Sequence, residues 1–212
     1  MISLRCVGVP TDTLYGLAGD SRNKDAIETL YRIKGRSSSV PLAVSVSKTS
    51  EISSFCEDNH LPVGLLDSLL PGPITVVLRR KTTSLLSPDL NPGTETIGIL
   101  LRASRNDLIE FCFAGVRVPG SDFICDLCDQ LGCPVALTSA NLSGRRSSVR
   151  ITDFKELWNE CSIVFDGGEI DASSLGSTVV DLTTRDTFKI LREGDGLSDV
   201  LDQMRRFSIQ QS

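Results

Sequence analysis

The segment "VPTDTLYGLAGD", Val9 to Asp20, sets Thr11, Asp12 and Thr13 directly after a short apolar run. Hydroxyl and carboxylate side chains at such a point either close a local turn or offer donors and acceptors to a ligand. Four more segments carry residues of this kind. "YRIKGRSSSVPLAV" holds two cations, Lys34 and Arg36, around Gly35. "LLPGPITVVL" turns through Pro71, Gly72 and Pro73 and leads Thr75 into a strand. "PVALTSANLSGRRSS" runs an apolar strand into Thr138, Ser139, Asn141 and Ser143, then Gly144 and Arg145. "LGSTVVDL" supplies Gly176, Ser177, Thr178 and Asp181. Hydroxyls, an amide, cations and open backbone N–H groups suit polyphosphate oxygens and a ribose or purine edge. Each segment also has a plainer reading. Lys34 and Arg36 compensate a helix dipole, the Pro–Gly–Pro turn is structural, Asn141 closes an Asx turn, and Thr178 and Val179 are good strand residues. Neither G-x-x-x-x-G-K-[ST] nor G-x-G-x-x-G occurs, so a bound nucleotide would be held by other loops.

Other chemistries have less to work with. His60 is the only histidine, which leaves no choice of partner for a Ser-His-Asp or Cys-His arrangement. Seven cysteines are an odd number without repeated spacing, which fits free thiols in a reducing compartment better than a disulfide framework. Cys125 and Cys128 fall on the apolar stripe of "SDFICDLCDQLG" and read as core, because zinc would need a second pair. The net charge is −5, against a broad nucleic-acid surface. No apolar run approaches the roughly 20 residues of a membrane span, and no signal or transit peptide is visible.

The elements that must position these loops alternate along the chain. "RCVGVP", "PLAVSVS", "ITVVLRR", "PVALT", "SIVFD", "STVVDL" and "FKILR" read as strands. "KDAIETLYRIK", between Asn23 as cap and Gly35 as stop, reads as a helix, as do "LPVGLLDSLL", "SDFICDLCDQLG", "ITDFKELWNE" and "GLSDVLDQMRRF". This is an α/β pattern in one domain of 212 residues. Ligands of such sheets sit beside strand ends, where the five loops fall.

The five segments, in this order, resemble the YrdC family, the L-threonylcarbamoyladenylate synthases. The match covers nearly the whole chain and looks closest to the eukaryotic YrdC-domain proteins, where "PTDTLYGLA" and "LTSANLS" recur. The resemblance implies a YrdC-like domain over 1–212: a twisted mixed sheet flanked by helices, with one concave site for nucleotide and threonine. It implies that L-threonine, bicarbonate and ATP become threonylcarbamoyl-AMP and pyrophosphate. A separate tRNA threonylcarbamoyl-transferase complex would then modify an adenosine next to the anticodon. Lys34 and Arg36 are expected at the nucleotide and central to catalysis, with Thr96, Asn141, Ser147 and Arg192 also on ATP. Thr11, Arg117, Ser139 and Ser177 are expected on threonine. Mg2+ would arrive on the ATP phosphates and need no protein carboxylate cage. Replacing Lys34 by alanine should weaken ATP use and leave folding nearly intact. A cytoplasmic location is expected, or an organelle if the natural N-terminus is longer. The hydrogenase-maturation carbamoyltransferases carry a similar domain. An RNA-binding or ribosome-associated module and an inactive isoform of the enzyme stand as alternatives.

Three departures from the family pattern stand out. Ser45 lies where many relatives carry histidine, and "LREGD" replaces "LRPG" while keeping Arg192. The pattern "ETIGIRVP" is interrupted: "ETIG" ends at Gly98, "VRVP" resumes at Val116, and Ile99–Gly115 reads as an insertion. The insertion is expected to fold as a short helix or hairpin pressed on the surface, with Thr96 and Arg117 both facing the site. The N-terminus also reads as truncated.

Overall fold

Asn23 takes an extended backbone, and its side-chain oxygen accepts the N–H groups of Asp25 and Ala26, capping helix α1, Lys24–Lys34. Such a cap is worth about 1 kcal/mol. Ala26, Ile27, Leu30 and Ile33 turn inward and are buried. Gly35 ends the helix at φ 56°, a left-handed value that glycine adopts without strain. The computed structural model describes residues 5–35, 41–90, 113–170 and 175–212.

The described strands are β1 (Val7–Val9), β2 (Gly16–Asp20), β3 (Ala43–Ser45), β4 (Cys56–Glu57), β5 (Ile74–Arg80), β6 (Phe113–Arg117), β7 (Val135–Ser139), β8 (Ile163–Val164), β9 (Thr178–Asp181), β10 (Thr187–Arg192) and β11 (Gln210–Gln211). They join in one mixed sheet, in the order β11-β10-β9-β5-β6-β3-β7-β2-β1-β8, with β4 beside β5. The other described α-helices are α2 (Leu65–Leu69), α3 (Asp122–Leu131) and α4 (Leu197–Arg206). Alternation along the central strands sorts the side chains. Val44, Val76, Val116, Ala136 and Val180 share one face and pack with the inward residues of α1, α2 and α4. On the other face Val135 and Leu137 pack with Ile124 and Cys128 of α3. Cys128 is therefore core, as its place on the helical stripe predicts.

Three elements differ from their sequence reading. β2 is a strand although Gly16 and Gly19 speak for a turn. A Cβ at Gly16 would lie 2.8 Å from Leu137 Cδ1 and 3.2 Å from the Thr138 carbonyl oxygen of the neighbouring β7, a close approach that favours glycine there. "ITDFKELWNE" is a 3-10 helix broken at Phe154 (φ −122°, ψ 28°), not an α-helix. The Phe154 ring is buried against Tyr15, with centroids 5.5 Å apart, and this packing overrides the helical period. The third is the expected insertion. Its residues 99–112 lie outside the described residues, but Phe113, Ala114 and Gly115 are not on the surface. They open β6 and pair with Arg79, Leu78 and Val77. Phe113 is 6% exposed. Phe113→Ala should therefore cost about 3–5 kcal/mol in urea unfolding. A loss within about 0.5 kcal/mol, normal for a surface position, would restore the reading as an appended insert.

Candidate active site

The open half of the α3-bearing face forms a cavity of about 450 Å³. Its floor follows from the two-residue period of the strands. Ala43 and Ser45 of β3, Thr75 and Val77 of β5, Gly115 and Arg117 of β6, and Leu137 and Ser139 of β7 all point into it. Gly115 lacks a side chain and deepens the centre, where an added Cβ would meet Thr75 Cγ2 at 3.3 Å. The floor is apolar in the middle and carries its polar groups at strand ends, a composition usual for small-molecule sites. The Ser45 hydroxyl is buried without a hydrogen-bond partner among the described residues.

At one rim the Thr11 hydroxyl donates to the Leu14 carbonyl at 2.7 Å and accepts the N–H groups of Thr13 and Leu14. The turn reading and the site reading of "PTDT" thus coincide, because the turn places Thr11 on the cavity wall. Asp12 reaches the other way. Its Oδ1 accepts Arg117 Nη2 at 2.6 Å and its Oδ2 accepts the Gly120 N–H at 2.7 Å. Arg117 also donates to the Thr13 hydroxyl and, through Nε, to the Gly72 carbonyl. These contacts occupy three of the five guanidinium N–H bonds; the other two have no hydrogen-bond partner among the described residues. Burial lowers the Arg117 pKa, and the Asp12 carboxylate opposes that shift.

Across the cavity Arg192 donates through Nε and Nη2 to the Ser177 carbonyl and through Nη2 to the Ser177 hydroxyl. That hydroxyl lies 2.8 Å from the Thr75 hydroxyl. Burial first and the Arg117 charge second lower the Arg192 pKa. Two cations facing one cavity repel each other, and an anion between them would remove that repulsion.

Lys34 sits behind the third wall. It is 2% exposed. Its ammonium donates to the carbonyl and hydroxyl of Ser139 at 2.7 and 3.1 Å, and to the carbonyl and side-chain oxygen of Asn141 at 2.6 and 2.8 Å. A group that only donates must meet the oxygen of the amide, so Asn141 turns its nitrogen to the Leu142 and Arg145 carbonyls. The last residue of α1 thereby holds the start of the "TSANLSGR" loop at Ser139 and Asn141; Ser139 and, just beyond the loop, Ser147 line the cavity. Burial at this depth overturns the expectation that Lys34 can be removed without loss of stability.

Of the residues singled out in the sequence, Thr11, Arg117, Ser139, Ser147, Ser177 and Arg192 line this one cavity. Lys34 and Asn141 stand behind its wall. Arg36 and Thr96 lie outside the described residues. Asp12, Thr13 and Thr75 were present in the quoted segments but not singled out as site residues. Their signal was only polar type beside a strand end, and their partners lie up to 108 residues away. The described lining contains no carboxylate. Among the described residues no group of three or more His, Cys, Asp or Glu side chains could hold a metal, and no helix is long and apolar enough to cross a membrane.

Residues 5–109 and 112–194 match the Sua5/YciO/YrdC family, described as "Telomere recombination". The chain is 40% identical over 208 residues to a Bos taurus protein named threonylcarbamoyl-AMP synthase, covering 96% of this chain and 68% of that protein. It is 42% identical over 196 residues to a Homo sapiens protein of the same name, covering 90% of this chain and 63% of that protein. It therefore spans about two thirds of the length of these relatives. The fold also matches the crystal structure of Pyrococcus abyssi Sua5 complexed with L-threonine, with a TM-score of 0.78 at 24% identity, over 98% of this chain and 55% of that one.

Proposed function

The chain belongs to the Sua5/YciO/YrdC family, and from that premise we propose that it is an L-threonylcarbamoyladenylate synthase. The observation that carries this reading is the cavity with its two guanidinium groups, in a chain 40% identical to a named threonylcarbamoyl-AMP synthase across almost its full length. In this nucleotidyl transfer the amine of L-threonine and bicarbonate form a carbamate and release water. A carbamate oxygen then attacks the α-phosphorus of ATP, the bond to the bridging oxygen breaks, and pyrophosphate leaves with the electron pair. The substrate supplies its own nucleophile, so the protein's task is to position reactants and neutralise charge.

The geometry divides that task. The two open N–H bonds of Arg117 form a fork suited to the threonine carboxylate, with Thr11, Ser139 and Ser177 around the same amino acid. Ser45 stands on the floor where many relatives carry histidine, and its unpaired hydroxyl gives the threonine hydroxyl a partner. Arg192 and Ser147 face the nucleotide, with Asn141, Arg36 and Thr96 assigned to it on family resemblance. Lys34 acts by holding Ser139 and Asn141 in place. Mg2+ fits as part of the ATP substrate: with no carboxylate in the described lining, phosphate oxygens and water would hold it. The product would pass to a tRNA threonylcarbamoyl-transferase complex for modification of adenosine next to the anticodon. We place this chemistry in the cytoplasm, since the six described cysteines are free thiols. The net charge of −5 supports no strong direct binding of nucleic acid.

Pyrophosphate release from ATP by the purified chain should require L-threonine and bicarbonate together. Serine should be used about 10–200-fold less well in kcat/KM, the value of one methyl group in a fitted site. Equal release without any amino acid would sink the proposal.

A further inference from the structure

Cys6 and Cys161 are 155 residues apart in sequence, and their sulfurs lie 3.8 Å apart. Neither belongs to the cavity. Cys6 precedes β1, and Cys161 closes the 3-10 helix Ile151–Glu160 and precedes β8. The two strands run parallel, with Val7 opposite Ile163, and the Ser162 N–H donates to the Cys6 carbonyl at 2.9 Å. Cys161 is thus one residue out of register from Cys6, in extended backbone at φ −96° and ψ 139°. Strand spacing and rise put the two Cα atoms about 6 Å apart, inside the roughly 4.4–6.8 Å that a disulfide spans. Cys6 is 1% exposed, whereas Cys161 is only partly buried.

We propose that Cys6 and Cys161 form a redox modification site, a dithiol that a peroxide converts to an intramolecular disulfide. The accessible partner reacts first. The two sulfurs share a hydrogen bond in which either can donate, and this contact, ahead of burial, lowers the Cys161 pKa and raises that of Cys6. Glu160, next in the chain and paired with Arg32 at 2.9 Å, opposes the Cys161 shift. The Cys161 thiolate attacks one oxygen of hydrogen peroxide, the O–O bond breaks, and the departing hydroxide takes a proton to become water. The Cys6 sulfur then attacks the sulfenic sulfur, the S–O bond breaks, and the oxygen leaves as a second water with the Cys6 proton. Two thiols are oxidised to one disulfide while one peroxide is reduced to two waters. The bond would fasten β1, which runs into the Thr11–Thr13 loop, to the end of the segment carrying Phe154.

The test treats the intact reduced protein with stoichiometric hydrogen peroxide and maps its peptides without reduction. A Cys6–Cys161 linked peptide is expected, with a rise in Tm of about 5–10 °C because the bond closes a long loop. Dithiothreitol should reverse both. Cys161→Ser, which keeps a small side chain at a position packed against the core, should show no peroxide-induced rise above its own untreated Tm. Linkage of another pair, over-oxidation of Cys161 without linkage, or a linked protein with unchanged Tm would overturn the proposal. The peptide map on the unaltered chain decides the matter even if a variant fails to fold.

Discussion

Lys34→Ala is expected to lose both activity and stability. The three N–H bonds of one ammonium are shared among four oxygens, all within 3.1 Å, and Lys34 itself has almost no solvent access. Removing the donor takes the ammonium from the Asn141 carbonyl, an acceptor worth about 1–3 kcal/mol when left unpaired, while the Ser139 carbonyl keeps the Asn141 N–H and Asn141 Oδ1 keeps the Ser139 hydroxyl. A net loss of about 3 kcal/mol is expected, or about 6–12 °C in Tm. A role limited to the helix dipole would give about 0.3–1 kcal/mol. Activity should fall about 100-fold or more, because the freed loop displaces Ser139 and Asn141 together. Lys34→Met keeps most of the volume and none of the donors. It should behave like alanine in kcat/KM and regain only part of the stability. Full activity in either variant would remove Lys34 from the machinery.

The second large effect belongs to the Asp12–Arg117 pair. Arg117→Ala leaves the Asp12 carboxylate, 13% exposed, without its counter-ion. Breaking one side of such a pair costs about 3–5 kcal/mol. Adding Asp12→Asn removes the stranded charge and keeps an oxygen for the Gly120 N–H. The double variant should recover about half of the lost stability by thermal or urea unfolding. Threonine use should not recover with it: the KM for threonine should stay raised about 10–150-fold, the worth of one charged hydrogen bond, while the KM for ATP changes less. Joint recovery of stability and threonine KM would make Arg117 a structural residue only. Persistent instability in the double variant would show that the Thr13 and Gly72 contacts, not charge balance, dominate its fold role.

Helix α1 was readable to the residue, because Asn23, the inward stripe and Gly35 act within one helix length. The anion-binding character of the five loops was readable for a similar reason: residue type and proximity to a strand end are local properties. The broken "ITDFKELWNE" helix was not readable, since the break depends on the Phe154 ring meeting Tyr15. Nor was the strand at Phe113, where a lost family pattern argued for a surface insert and pairing with β5 argues for core.

The sequence by itself determined which residue types could hold a phosphate-bearing and amino-acid substrate, and which elements would carry them. Only the tertiary structure decided which of these groups face the cavity freely and which spend their charge on the protein. Lys34 and Arg117 are equal cations in sequence. In the fold Lys34 is enclosed by Ser139 and Asn141 behind the cavity wall, and Arg117 lines the cavity while paired with Asp12. The difference arises from contacts across roughly a hundred residues, and such contacts depend on how strands are ordered in the sheet, which no local pattern of residues encodes.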